Sequence, residues 1–244
     1  HATMVPLHFI EEAYREAGRD MDFRVVRIGI SGLSPAAHYR LGTLIQRVAD
    51  VLGRRVVYVA SGDLSHKLTK DGPYGFAPEG PTFDRIVCDA FLSGDFLPLL
   101  AMDPRLAERA AECGLRSFQM MAGALDQTEI HPELLSYEGP FGVGYAVAAF
   151  TPCGPERGCP KRDYLSVYEK ARAREQSGRR ASEDPYVRLA RLSLETHVRD
   201  GGRVRLPDDL PKDLALPDEL ATTRAGCFVS LKKDGELRGC IGTI

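Results

Sequence analysis

The residues best suited to chemistry in this chain directly follow the apolar run 56–59. Residues 61–66 read Ser-Gly-Asp-Leu-Ser-His, so an Asp and a His stand together in a glycine-containing turn. In open α/β sheets, ligands bind beyond the carboxyl ends of the strands. A histidine side chain exchanges a proton near neutral pH, which suits general acid–base catalysis. His66 is therefore a candidate catalytic acid or base, and the alternative is a capped turn that carries a surface His.

Two apolar segments, and the helix between them, must position this turn. Residues 23–30 and 55–60 are rich in Val and Ile, which is typical of strands. Between them, Ser34 and Pro35 are typical of a helix start, and apolar residues then recur on one helical face. A strand, a helix and a strand within about forty residues predict a βαβ unit with parallel pairing.

The rest of the chain continues this mixture of helices and strands. The pattern predicts helices at 83–92, 104–113 and 116–125, and a strand at 142–150. The expected fold class is therefore α/β, with a mixed or mostly parallel sheet covered by helices on both faces.

A second region follows a change in composition. The stretch after residue 152 is dense in Pro and Gly, and after a charged helical segment at 164–174 the chain becomes polar. Polar runs of this kind bury too little apolar surface to order themselves. The sequence predicts a first domain at 1–152, a linker at 153–184 and the start of a smaller α+β domain at 185–244.

The composition excludes several classes of protein. A hydrophobic content of 43% allows a sizeable core, and a net charge of −2 gives no attraction to nucleic acid or to anionic membranes. No apolar run is long enough to span a bilayer. The six cysteines are scattered along the chain, which favours reduced thiols over a disulfide framework. We therefore expect a cytoplasmic protein without a nucleic-acid or membrane partner.

Residues 61–66 resemble the Ser-Gly-x-Leu-Ser-His signature of class III extradiol dioxygenases of the LigB type, in the form that Memo-like relatives use. Three further segments resemble the same family in the family's order, at 1–7, 112–117 and 135–146. The first of them departs from the family pattern at Ala2 and Met4. The resemblance covers residues 1–152 and implies a LigB/Memo-like domain.

A second resemblance lies near the end of the chain. Residues 226–242 resemble the hallmark of the AMMECR-type domain, with the string Leu-Arg-Gly-Cys-Ile-Gly and a hairpin around Asp234 and Gly235. Bacterial proteins that fuse the two domains are labelled AmmeMemoRadiSam system protein A. The resemblance implies such a fusion, with a radical-SAM protein as a partner. Because both ends of the chain fall inside these motifs, we expect a piece truncated at both ends.

The LigB resemblance also implies roles for individual residues. The family holds non-haem Fe(II) with two His and one carboxylate, which leaves positions for a catechol and O₂. His66 matches the family's acid–base residue, and Asp63 either orients His66 or caps the turn. Glu112 matches the carboxylate ligand, and Cys113 is the rival because Memo-like relatives carry a Cys in this segment. A thiolate would indicate a softer site and a different divalent metal.

Two residues are candidates for substrate binding. His1 matches a family His near the substrate, and Tyr74 lies in the Gly- and Pro-rich loop 71–81, where it is either a pocket residue or core. No residue of the chain matches the family's two metal-binding histidines, so we expect weak iron binding by this chain alone.

The resemblance implies an oxidoreductase: an Fe(II)-dependent extradiol ring-cleavage dioxygenase that acts on a catechol-type or related small aromatic substrate with O₂. The alternative is a non-catalytic scaffold of Memo-like and AMMECR-type domains. Such a scaffold would work with a radical-SAM partner in a modification system.

Overall fold

The computed structural model describes residues 3–154, 158–233 and 236–244, which form two compact units. The first unit ends at Ala171 and the second begins at Arg172. Among the described helices, none combines the length and the apolar composition that crossing a bilayer requires.

The described part of the first unit is mainly helical, with one hairpin. The helices lie at Met4–Glu16 (α1), Pro35–Val51 (α2), Glu79–Ser93 (α3), Leu97–Leu100 (α4), Pro104–Ala110 (α5) and Leu115–Ala124 (α6). A further helix, α7 (Tyr164–Ala181), crosses the boundary between the units. The strands β1 (Ile130–Glu138) and β2 (Tyr145–Pro152) pair antiparallel. The predicted helices at 83–92, 104–113 and 116–125 and the predicted strand at 142–150 are present, but the second helix already ends at Ala110 and the strand begins only at Tyr145.

Local capping signals explain where these helices begin and end. Ser34 accepts a hydrogen bond from the Ala37 N–H at the start of α2, and Asp103 accepts one from the Arg105 N–H at the start of α5. Such caps satisfy N–H groups that have no partner inside the helix. Gly94 adopts a left-handed conformation, with φ of 71°, and ends α3.

The parallel pairing predicted between residues 23–30 and 55–60 is absent from the described residues. Both segments lack strand pairing, and the sheets of the described chain are two antiparallel hairpins. Their side chains are largely exposed, including Val26 at 83% and Val57 at 88%. A β ladder needs a neighbouring strand for its N–H and C=O groups, and no described segment pairs with these two. The mixture of helices and sheets nevertheless agrees with the α/β class.

The core of the first unit lies between α3, α6 and the hairpin. Phe91 of α3 packs in edge-to-face geometry with Phe118 of α6 and with Phe150 of β2. The ring centroids lie 5.2 Å and 5.5 Å apart, respectively. Burying a Phe side chain stabilises the fold by about 1.5–3 kcal/mol. These contacts fix the elements that carry the candidate site.

Helices α2 and α6 touch through their backbones. A Cβ at Gly42 would lie 1.9 Å from the carbonyl oxygen of Met120, and a Cβ at Gly123 would lie 1.9 Å from that of Tyr39. Both distances are far below van der Waals contact. Any larger residue must therefore push the two helices apart.

We expect Gly123→Ala to lower the free energy of unfolding by about 1–3 kcal/mol, because overpacking outweighs the better helix propensity of Ala. Urea denaturation followed by circular dichroism measures the change. Gly29→Ala is the matched control, since nothing lies within 4 Å of a Cβ there. Equal midpoints for the two variants would contradict the close contact.

The described part of the second unit contains α8 (Pro185–Asp200), α9 (Glu219–Thr222) and a hairpin of β3 (Cys227–Lys233) and β4 (Glu236–Thr243). Asp184 caps α8 by accepting from the Val187 N–H. The predicted hairpin strands pair antiparallel, whereas Asp234 and Gly235 lie outside the described residues.

Helix α7 extends into the stretch that the sequence predicts as a flexible linker. It continues beyond residue 174 to Ala181. Glu175 accepts hydrogen bonds from Arg172 and Arg179 on neighbouring turns. Such pairs stabilise an exposed helix. The polar composition therefore indicates exposure here rather than lack of order, and the division at residues 152 and 185 stays a prediction.

Candidate functional site

The turn at 61–66 is held by hydrogen bonds to two other segments. The Leu64 N–H donates to the carbonyl of Gly144 at 2.9 Å, and the Gly144 N–H donates to that of Ser65 at 2.8 Å. On the other side, the His66 N–H (3.1 Å) and the Ser65 hydroxyl (2.9 Å) both donate to the carbonyl of Ala110. Ser65 is fully buried, so it supports the backbone of the turn.

Two glycines bring the turn against the chain that precedes α6. A Cβ at Gly62 would lie 2.4 Å from the Cα of Gly114, and a Cβ at Gly114 would lie 2.9 Å from the carbonyl oxygen of Asp63. The Cys113 N–H donates to that same carbonyl at 3.3 Å. Residues some fifty positions apart in the chain are thereby held in contact.

Asp63, His66 and Cys113 form a cluster of three potential metal ligands, whose donor atoms all lie within 4.8 Å of one another. His66 Nε2 lies 3.4 Å from Asp63 Oδ2 and 3.8 Å from Cys113 Sγ. Donor atoms bound at about 2.0–2.3 Å to one ion lie about 3–4 Å apart. The spacing therefore fits a single divalent transition metal. Imidazole, thiolate and carboxylate together suit iron, zinc or copper.

Glu112 contacts the start of α6, the helix that follows it in the chain, instead of this cluster. Its Oε2 accepts a hydrogen bond from the Leu115 N–H at 2.7 Å, which satisfies an N–H in the first turn of α6. Burial raises the pKa of the Glu112 carboxyl, and this hydrogen bond acts in the opposite direction. Of the two candidate ligands in this segment, Cys113 is the one that lies beside His66.

The Cys113 thiol is accessible yet partly desolvated. Desolvation raises the pKa of this thiol, although its side chain is open to solvent. Its Sγ accepts a hydrogen bond from the Asp63 N–H at 3.2 Å. A metal binds the thiolate, so binding here would release the thiol proton.

Tyr74 stacks on His66. The centroids of the two rings lie 5.1 Å apart, with 29° between the ring planes. Tyr74 is 59% exposed, so part of its ring remains accessible beside the cluster. The segment that precedes α3 thus brings an aromatic side chain to the site. His1, the other candidate for substrate binding, lies outside the described residues.

Asp84 is a site residue that the sequence analysis did not identify. This side chain of α3 is 1% exposed. Its Oδ1 accepts from the Ser65 N–H at 2.7 Å, and its Oδ2 accepts from the Tyr137 hydroxyl at 2.7 Å. Burial raises the pKa of its carboxyl, and the two hydrogen bonds oppose the change. The sequence does carry a signal for it, because an Asp on the buried face of an amphipathic helix needs polar partners.

Comparison with known proteins places this site in a family. Residues 1–148 match the model of the catalytic LigB subunit of aromatic ring-opening dioxygenase, and residues 187–244 match AMMECR1. The predicted order of a LigB-type domain followed by an AMMECR-type segment is confirmed.

Individual relatives match either the whole chain or about a quarter of it. A protein of Clostridium acetobutylicum is 37% identical over 245 residues, which cover 100% of this chain and 49% of that protein. A Methanothermobacter thermautotrophicus protein is 46% identical over 56 residues, or 23% of this chain and 26% of its own length. A Thermotoga maritima protein is 50% identical over 62 residues, or 25% of this chain and 32% of its own length.

The chain spans about half the length of the Clostridium relative. The match to the LigB model covers more than half of this chain, and it contains all three of the potential metal ligands Asp63, His66 and Cys113. The chain therefore belongs to the family of the catalytic LigB subunit of aromatic ring-opening dioxygenases, with an AMMECR1 segment after the LigB domain.

Proposed function

We propose that the first unit belongs to a metal-dependent extradiol dioxygenase that opens the ring of a catechol or a related small aromatic diol with O₂. The observation that carries the proposal is the cluster of Asp63, His66 and Cys113, with donor atoms within 4.8 Å. The membership of the LigB family supplies the reaction class.

Cys113 and Asp63 would hold the metal from this chain. Fe(II) is the ion of the reaction class, and the thiolate also suits other divalent transition metals. When bound, the ion supplies a Lewis acid with open positions for both a diol and O₂. We also propose that residues elsewhere in the full-length protein supply the further ligands of the ion.

His66 would move the proton of the substrate. Its ring stacks on that of Tyr74, with the ring centroids 5.1 Å apart. Its Nε2 lies 3.4 Å from Asp63 Oδ2 and 3.8 Å from Cys113 Sγ, next to the two residues that would hold the metal. From this position Nε2 can take the proton of a diol hydroxyl and hold it as an imidazolium. The Asp63 carboxylate, whose Oδ2 lies 3.4 Å from Nε2, would orient the imidazole.

Tyr74 would help to orient the substrate. Its exposed ring offers an apolar surface next to the proton-transfer atom of His66. Aromatic rings pair in offset or edge-to-face geometry. A planar diol is therefore a better fit to this position than an aliphatic one.

The test uses the purified full-length protein, loaded with Fe(II) without oxygen. Metal content is measured by mass spectrometry, and turnover is measured as O₂ uptake and as absorbance of ring-opened products from a panel of catechols. We expect bound metal and ring opening of at least part of the panel. A metal-loaded protein that opens no ring on the panel would contradict the proposed reaction.

The AMMECR1 segment favours a second candidate function. A LigB domain followed by an AMMECR1 segment is the domain order of the fusions labelled AmmeMemoRadiSam system protein A. In this alternative, the first unit is a non-catalytic scaffold that works with a radical-SAM protein. Metal binding without turnover, together with a stable complex with a purified radical-SAM partner, is the result expected for the scaffold.

A further inference from the structure

We propose that Asp84 is a positioning residue, whose buried carboxylate fixes the turn that carries Asp63 and His66 and thereby the geometry of the cluster that would hold the metal. This inference rests on the proposed metal site, since it concerns the same turn. Asp84 itself touches neither the three donor atoms nor, in the proposed mechanism, the substrate.

Asp84 is attached to the middle of the turn. It accepts the N–H of Ser65, which lies between Asp63 and His66 in the sequence. The peptide group that carries this N–H joins Leu64 to Ser65, so its orientation sets the direction of the chain toward His66. A hydrogen bond of a backbone amide to a carboxylate is charge-assisted and strong.

Ser65 is held by hydrogen bonds at each of its polar groups. Its carbonyl accepts from Gly144, its hydroxyl donates to Ala110, and its Oγ accepts from the Lys67 N–H at 3.0 Å. The remaining polar group of Ser65 is its backbone N–H, which donates to Asp84. Losing it would leave a buried donor without a partner and would release the turn on one side.

The hairpin of β1 and β2 packs closely around the Asp84 carboxylate. Tyr137 of β1 donates to Oδ2, and a Cβ at Gly144 would lie 2.0 Å from that same oxygen. Only glycine leaves room for the carboxylate at this point. The fit is therefore specific to a side chain of this length, because an added methylene would drive the oxygens into β2.

Asp84 is an ionisable side chain at a buried position. A buried carboxylate costs free energy relative to an apolar side chain, so packing alone gives no reason for Asp at this position. The carboxylate is matched at this position by the hydrogen bonds that its two oxygens accept from Ser65 and Tyr137.

The experiment compares Asp84→Asn and Asp84→Ala in the full-length protein by titration with Co(II). The charge-transfer absorbance of a Cys113 thiolate bound to Co(II) reports both affinity and geometry. Loss of a residue that orients a metal ligand typically costs about 10–100-fold in metal affinity. We expect that loss for Asp84→Ala, and near wild-type affinity for Asp84→Asn, whose side-chain oxygen can still accept from Ser65.

Gly123→Ala is the control for stability, because it perturbs a helix contact in the same unit. It should lower the unfolding midpoint and leave the Co(II) spectrum unchanged. If Asp84→Ala also leaves Co(II) affinity and spectrum unchanged, its role is structural only and the inference is overturned.

Tyr137→Phe covers the case in which Asp84→Ala does not fold. It removes one hydrogen bond of Asp84 and opens no large cavity. We expect a several-fold loss of Co(II) affinity, and unchanged affinity would overturn the inference.

The outcomes also separate this inference from the proposed reaction. If the wild-type protein binds Co(II) but opens no catechol ring, the proposed reaction is wrong. The metal titration then still tests the positioning role of Asp84. A wild-type protein that binds no Co(II) removes the metal site and this inference together.

Discussion

Cys113→Ala is expected to reduce divalent metal binding by more than about 100-fold, and ring opening with it. The loss of a direct ligand should exceed the 10–100-fold that is typical of residues behind the ligands. The expectation follows from the position of Sγ, 3.8 Å from His66 Nε2 in the cluster. Metal analysis and Co(II) titration of the full-length protein measure it.

Glu112→Gln is the matched control for this prediction. The amide oxygen can still accept from the Leu115 N–H, so both the helix start and the bound metal should be retained. Glu112→Ala should cost about 0.5–2 kcal/mol of stability, as loss of a helix-capping acceptor does, and should spare the metal. Loss of metal in the Glu112 variants with retention in Cys113→Ala would identify Glu112 as the ligand.

The second large effect is expected at His66. His66→Ala should slow ring opening by about 10²–10⁴-fold, which is the usual contribution of a general acid–base group. Bound metal should remain, because Cys113 and Asp63 stay in place. Turnover and metal content are measured on the same preparations.

His131→Ala is the control for His66→Ala, since His131 lies on β1 with its side chain exposed. It should leave both quantities unchanged. If His66→Ala loses the metal along with the activity, then His66 is a ligand and the proton is moved by another group. If it retains full turnover, the acid–base role is wrong.

The local features of the fold can be predicted from sequence because their causes are local. Ser34 caps α2 and Gly94 ends α3 through hydrogen bonds and dihedral angles within a few residues. Residues 23–30 and 55–60 show the limit of this reasoning. Their Val and Ile content indicates a tendency to form strands, whereas a strand also needs a partner, which a local pattern does not specify.

The residues of the candidate site also fall into two groups, those that a local motif identifies and those that depend on the fold. The motif at 61–66 identifies Asp63 and His66, because the chemistry and the turn lie in one short segment. The choice between Glu112 and Cys113 depends on which side chain caps α6, and two adjacent residues give no basis for that choice in the sequence. Asp84 comes to the turn from another element, through packing against the hairpin.

The long loops that close at the site have a consequence for how the protein folds. Asp63 meets Cys113 across fifty residues, and Leu64 meets Gly144 across a still longer stretch. Contacts between distant residues form slowly, because the entropy of closing the loop is lost before the contact stabilises it. The helices can therefore form well before the three donor atoms meet. A metal ion would bind only a chain whose hairpin and α6 have already docked, so slower docking would lower the metal-loaded fraction of newly made protein even with every ligand intact.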